Sequence, residues 1–393
     1  MSQNRFLTRN IWVLSLVSLF TDMASELLYP IIPLYLQQIG FTVLFIGVLE
    51  GVAEAVSGVF KSYFGKLSDT LGKRKVFVQW GYGLSAAAKP AIALITAPAW
   101  VFLMRLADRL GKGLRTGARD ALLSAEATPE TKGRVFGFHR SMDTLGAVLG
   151  PMIALLWLKY HPGDYRTMFI VSVVPGLAAI VATSLIKERI ENNTLQKAKK
   201  APWWKYIFQT EPHLRKLLIV LTLFALFNSA DVFLLLQVKK SGCSDYLLIL
   251  VYIFYNLVYA LASYPMGILG DKIGLKPTMV LGLIFFSVAY AGISFAASMP
   301  QYLAVFFIYG LYAASTDGVA KALISNMVPK TESATALGTF AALQSLAALV
   351  ASSVAGLLWV SYGSQVTFLS SAIVACCCAV VLAVLKTKKP IVI

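Results

Sequence analysis

The sequence predicts an all-α membrane protein built from two pseudo-symmetric six-helix bundles, and three observations lead there. Of its 393 residues, 58% are hydrophobic and 14% charged, with a mean hydropathy of +0.71. Soluble chains run at roughly 45–50% and about 25%. Apolar runs about 20 residues long, the length that an α-helix needs to cross a bilayer's hydrocarbon core, recur from one end to the other. The third observation is a charged turn between two apolar runs, G-K-L-S-D-T-L-G-K-R-K at Gly65–Lys75. Its Gly65, Asp69 and Gly72 return 202 residues later as Gly267, Asp271 and Gly274, followed by Lys276.

The apolar runs fall near 11–37, 43–64, 76–96, 98–122, 134–158, 166–187, 215–238, 246–268, 277–297, 301–326, 334–360 and 365–386, which makes twelve crossings. The first contains Asp22 and Glu26 and lacks a small-residue cleavage pattern, so it reads as a span and not as a cleaved signal. Domain limits follow: a bundle over 1–187, a charged linker over 188–214 and a second bundle over 215–393. The linker carries Asn192-Asn193 and a Lys197–Lys200 run, and Trp203 and Trp204 suit an interfacial helix.

Repetition extends beyond the charged turn. Ala118-Arg119-Asp120 returns as Ala320-Lys321-Ala322, and Thr128-Pro129 as Val328-Pro329. The net charge of +16 sits mostly between apolar runs, which points to membrane topology and not to nucleic acid. Arg5, Arg9, Lys66, Lys73, Arg74, Lys75, the linker, Lys330 and Lys386, Lys388 and Lys389 lie on one set of loops. The alternate loops hold only Lys159, Arg166, Lys239 and Lys240, so both termini are expected to be cytoplasmic. Cys243 and the consecutive Cys376, Cys377 and Cys378 suit neither a disulfide framework nor a zinc site.

Gly65, Leu67, Asp69, Gly72, Lys73 and Arg74 match G-x-L-x-D-x-x-G-[KR]-[KR], and Gly146, Gly150 and Pro151 match G-x-x-x-G-P with Ala154 in place of a further glycine. On these motifs the chain resembles the major facilitator superfamily (MFS) over essentially its whole length, in the manner of bacterial proton-coupled exporters. The resemblance implies twelve helices around a central cavity in the cytoplasmic (inner) membrane, a monomer, and a small solute and protons as partners. Neither cofactor nor metal is expected. In the family the second motif is commoner in exporters that exchange solute for protons; a kinked packing seam is the alternative. The family's fourth-helix arginine has two candidates, Arg105 and Arg109.

The charged turn has a mechanical reading. Gly65 lets two helices approach, and the carboxylate of Asp69 can cap free backbone N–H groups. Lys73 and Arg74 could then pair with Asp120, forming with Gly72 a conformational latch of which Asp271 is the echo. The bland alternative is that the bases only set topology.

Ionisable residues inside the first six helices carry the chemistry. Each costs at least roughly 2.5–3.5 kcal/mol on insertion scales, so they should face a cavity or partners. Asp22 and Glu26 lie one turn apart, with Tyr29 beyond them. Gly47, Glu50, Glu54, Ser57 and Lys61 form one stripe, and Arg105, Arg109 (or Asp108), Lys112, Arg115 and Arg119 form another. Arg105 and Arg109, together with Arg140, are candidates for an anionic solute, and Tyr29 is a further candidate solute contact. Asp22, Glu26, Glu50 and Glu54 have no obvious local bases and are candidate proton carriers, as are Asp143 and His139. Lys112, Arg115 and Arg119 read as snorkelling or topology charges. Lys89 is the lone charge of the third run. The second half offers Asn228, Tyr255, Asn256, Tyr259 and Gln344 for the solute, with Asp231 and Asp317 open to either role.

Enzymes are disfavoured, because no P-loop, zinc-hydrolase or G-x-S-x-G pattern appears. The expectation is a secondary transporter of a small organic anion, proton-coupled and exporting by antiport. Its alternatives are a broad drug/proton efflux pump, a proton-symport importer of an organic anion or metal chelate, and, outside transport, a membrane receptor or scaffold.

Overall fold

The computed structural model describes residues 7–188, 205–243 and 245–385, and these are helical with no strand. Arg5, the lysines of the tail and most of the expected linker, with Trp203 and Trp204, lie outside the described residues. Local signals open and close the helices. Thr8 accepts the N–H of Ile11 (3.3 Å) to start α1 (Arg9–Leu28), and the chain breaks at Tyr29–Pro30 before α2 (Ile31–Gln38). Thr42 caps α3 (Val43–Leu71), which ends at Gly72 with φ +64°, a conformation that glycine adopts without cost. Next come α4 (Arg74–Ala91), α5 (Pro98–Ala125), α6 (Lys132–Tyr160), α7 (Tyr165–Val171) and α8 (Val173–Ser184).

The second half repeats the scheme. A short α9 (Tyr206–Gln209) precedes α10 (Pro212–Ala225), which breaks before α11 (Val232–Lys240). Then follow α12 (Asp245–Ile273), α13 (Leu275–Phe295), α14 (Met299–Asn326) and α15 (Ser333–Val384), the last bent at Gly363 (φ +87°). Seven helical stretches among the described residues are long and apolar enough to cross a membrane by length and composition alone.

Polarity is inverted relative to a soluble protein. Leu261 and Ile373 are 68% and 64% exposed, while Lys89, Arg105 and Asp108 are 3%, 5% and 5% exposed. Water gives no reason to turn leucine outward and lysine inward; a lipid surround does.

Contacts divide the chain into two units. One comprises Met1–Thr128, Met142–Tyr206 and Val328–Ala342; the other comprises Pro129–Ser141, Ile207–Met327 and Leu343–Ile393. The core of the first gathers Leu27, Leu28, Ile31 and Tyr35 against Phe169. The second has an aromatic core, with Phe286 stacked 3.9 Å from Tyr290 and edge-on to Phe224 at 4.9 Å. Each unit contains a glycine seam in the same place. A Cβ on Gly65 of α3 would strike the carbonyl oxygen of Ala334 at the start of α15, and one on Gly267 of α12 would strike that of Gly133 at the start of α6. The first motif glycine and its echo therefore do the same work.

Because each collision is with backbone, Gly65→Val and Gly267→Val should each destabilise by about 1–3 kcal/mol. Gly72→Ala has open space and should cost only about 1 kcal/mol, from its positive φ alone. Thermal unfolding of the purified variants in detergent should rank them in that order.

Candidate functional site

In the first unit α3, α4 and α5 bring their charges together. Positions 105, 108, 109, 112 and 115 share one side of α5. Its close approach to α4 is possible because a Cβ on Gly111 would lie 2.6 Å from the oxygen of Gly81. Arg105 donates through Nε and Nη2 to both oxygens of Glu50 on α3, each at 2.7 Å, and through Nη1 to Asp108 at 3.2 Å. The other oxygen of Asp108 takes the ammonium of Lys89 from α4 at 2.8 Å. Arg109 lies 3.7 Å from Glu50 and 3.9 Å from Glu54, and Lys61 is 3.9 Å from Glu54. Arg115 donates to Ser85 (2.8 Å) and stacks over Tyr82 at 4.4 Å. The chain Glu50–Arg105–Asp108–Lys89 thus alternates in sign across three helices.

Beside it lies a cavity of about 50 Å³, lined among others by Asp22, Glu26, Tyr29, Arg109 and Lys112. Sites for small organic molecules measure roughly 300–1,000 Å³, whereas a water needs only about 10–15 Å³. The cavity is sized for water.

In the second unit, Arg140 of α6 pairs with Asp317 of α14 at 3.0 Å and bonds the hydroxyl of Tyr259, which also donates to Asp317. Asp231, at the break between α10 and α11, accepts from Tyr309 (2.7 Å), and Asn228 donates to Tyr312 (2.9 Å). Tyr255 stacks on Tyr309 at 5.0 Å. Asn256 is bonded to the carbonyl of Tyr252 in its own helix, and Gln344 lies half-buried on α15.

The motif aspartates hold helix starts. Asp69 accepts from the N–H and hydroxyl of Thr335 (2.7 and 2.8 Å) and from Arg74 (2.8 Å). Asp271 accepts from the N–H groups of Gly133 (2.7 Å) and Arg134 (3.0 Å) and from the Arg134 guanidinium (2.7 Å). Each carboxylate sits against the positive end of a helix from the opposite half of the sequence. Gly146 and Gly150, ahead of Pro151, press α6 onto the backbone of α1 around Leu19, Met23 and Leu27.

Several expectations change. Glu50 and Glu54 are not without bases, because α3 turns its stripe onto the arginines of α5. Arg74 pairs with Asp69 and not with Asp120, which is held by Arg119 at 2.9 Å, while Lys73 is exposed. Arg115 is buried over Tyr82 and does not snorkel. Lys89 is not solitary. His139, Arg140 and Asp143 share a turn, yet Arg140 faces α12 and α14 while Asp143 accepts from Ser18 of α1. His139 is buried. Sequence reasoning passed over Tyr290, Tyr309 and Tyr312; the tyrosine spacing 309–312 beside 255–259 was the available signal. It also passed over Glu188, whose carboxylate caps the N–H groups of Arg74 (2.7 Å) and Lys75 (3.1 Å).

Helices with lipid-type exteriors and ion-paired interiors define a polytopic membrane protein. The family model described as Major Facilitator Superfamily matches residues 14–254 and 232–392. An uncharacterized MFS-type transporter of Methanocaldococcus jannaschii is 31% identical over 378 residues, covering 95% of this chain and 94% of that one. The multi-drug resistance efflux pump PmrA of Streptococcus pneumoniae is 26% identical over 323 residues, 79% of each chain. Among solved structures, the human organic anion transporter MFSD10 aligns with a TM-score of 0.81 at 17% identity over 95% of this chain and 99% of that one. The MFS transporter FucP aligns at 0.80 and 12% over 98% and 100%. The chain belongs to the major facilitator superfamily. It is a multi-pass membrane transporter and not an enzyme.

The Lys89–Asp108 pair yields a stability cycle. Lys89→Met alone should cost about 3–5 kcal/mol, because it leaves a buried carboxylate with half its compensation, while Lys89→Met with Asp108→Leu should recover most of the loss. Unfolding of the three proteins in detergent checks the non-additivity.

Proposed function

We propose that this transporter is a proton-coupled exporter of small organic solutes, and that the network centred on Arg105 is its proton site. One observation carries the reading: Arg105 bridges Glu50 and Asp108 beside a water-sized charged cavity. Asp108 is sealed between Lys89 and Arg105, but the Glu50 side chain is 34% exposed and can be reached. A proton on Glu50 would cancel its hold on Arg105 and loosen Arg109. Arg109 would then be free to take Glu54 alone, which gives the interior two arrangements for alternating access. A scaffold or receptor gains nothing from such buried ions.

The anionic solute expected from Arg105 and Arg109 is not preferred, because both guanidiniums already face carboxylates. Export is favoured by the Gly146/Gly150/Pro151 seam and by likeness to proteins named as multidrug efflux pumps. The transporter would sit as a monomer of twelve crossings in a bacterial cytoplasmic membrane, with its termini and the Asp69 and Asp271 caps on the cytoplasmic side. Each cap acts as a latch within its own unit, releasing its helix start when the cytoplasmic end of that unit opens.

Reconstituted in liposomes under a pH gradient, the protein should move protons when a transported solute is added. Glu50→Gln should abolish that movement while leaving the protein folded. Absence of any solute-linked proton flux across a panel of cationic, neutral and anionic solutes would overturn the reading. For the latch, Asp69→Asn should raise the labelling, by a water-soluble maleimide, of a cysteine placed at the buried Ser62, which packs against Thr339 of the helix that Asp69 caps. Unchanged labelling would remove the latch from the mechanism.

A further inference from the structure

The geometry points to a binding site for an organic cation at Asp231, in the break between α10 and α11. This names a solute class for the exporter proposed above and rests on that reading for its transport role, although the binding claim stands by itself. The break is the first support. Between Ala225 and Val232 the helix gives way: the N–H groups of Phe227 and Asn228 turn back only three residues, to Phe224 (3.0 Å) and Ala225 (3.2 Å). Its counterpart in the first half is the break at Tyr29–Pro30, and Tyr29 lies 202 residues before Asp231, the same offset that relates Asp69 to Asp271. Interrupted helices at matching positions of two repeats are where transporters place their ligands.

Charge is the second support. Asp231 is half-buried, takes one hydrogen bond from Tyr309 and has no ion pair among the described residues. Arg140, the nearby base in this unit, is neutralised by Asp317. The first unit shows how this chain compensates a buried carboxylate: Asp108 receives both Lys89 and Arg105. Leaving Asp231 without a base in an aromatic surround costs several kcal/mol, and a cationic ligand would recover it.

The third support is the wall. Around Tyr309 stand Tyr255 (5.0 Å, stacked), Tyr312 (5.3 Å) and Tyr290 (6.0 Å). The hydroxyls of Tyr312, Tyr290 and Tyr309 are engaged by Asn228, Ser229 and Asp231, so the rings are held in place. Aromatic faces carry negative potential and attract cations, most strongly when desolvated. Asn228 adds a buried carbonyl oxygen that no donor fills, an acceptor for an ammonium N–H. A hard metal ion is the wrong occupant: it needs six or more oxygens, and no group of three metal-ligating side chains occurs among the described residues.

Ethidium binding to the full-length protein in detergent, read by its fluorescence, tests the site, with benzoate and benzamide as anionic and neutral competitors. We expect ethidium to bind and neither competitor to displace it. Asp231→Asn should weaken binding at least about tenfold, the loss of one charge-assisted contact, and Tyr255→Leu about threefold or more. Wild-type protein supplies a check that needs no variant: ethidium should protect Asp231 from modification by dicyclohexylcarbodiimide. Undiminished binding by a folded Asp231→Asn, displacement by benzoate, or no protection of Asp231 would overturn the inference. Binding without proton movement in liposomes would leave the cation site standing and sink the exporter; proton-coupled flux of other solutes without ethidium binding would do the reverse.

Discussion

Arg105 holds Glu50 with two hydrogen bonds and Asp108 with a third, and the rest of the first unit is arranged so that it can. An isolated ion inside a bilayer costs several kcal/mol, and in this unit the charges of α3, α4 and α5 offset that cost by meeting opposite charges close by. That requirement sets the spacing of α3 and α5 and the small residues where α4 passes α5. It also explains Lys89, whose ammonium takes the oxygen of Asp108 that Arg105 leaves open. Compensation of this kind is weak evidence for stability, since apolar residues of like volume would serve as well or better. The role proposed for it is a set of charges that change partners, with Glu50, whose side chain is 34% exposed, as the member that water can reach.

Duplication supplies the frame on which this asymmetry is built. Asp69 and Asp271 perform one task, capping a helix start contributed by the opposite half of the sequence. Gly65 and Gly267 clear the space for it. Lys75 and Lys276 extend the likeness: one bonds the carbonyls of Ser184 (3.3 Å) and Ile186 (2.6 Å), the other those of Ala383 (2.7 Å) and Leu385 (2.6 Å). Away from these ends the halves diverge, ion pairs filling the first unit and tyrosines the second. Equal mechanics with unequal linings suits a transporter in which one half handles protons and the other handles solute.

The features legible in the sequence were those written locally. Length and apolarity pointed to the helices, and the 202-residue echo pointed to the matching places of Asp69 and Asp271. The cap role of Asp69 followed from its place at a turn. What stayed hidden depended on which helices face each other. Glu50 and Glu54 look unaccompanied in sequence because the arginines that face them lie more than 50 residues away on α5, and only the fold shows that Arg74 lies nearer to Asp69 than to Asp120. The tyrosine wall could have been suspected from the spacings 255–259 and 309–312, but tyrosine at helical spacing is ordinary core, and only the break that sets Asp231 among the rings distinguishes it.

The proposed coupling depends on Glu50 as its proton carrier beside Arg105. Infrared difference spectra of the protein in lipid, recorded between alkaline and acidic buffer, read this directly through the carboxylic-acid C=O band. A protonated-carboxyl band should appear on acidification in the wild type and lose one component in Glu50→Gln. An identical band in both proteins would contradict the account.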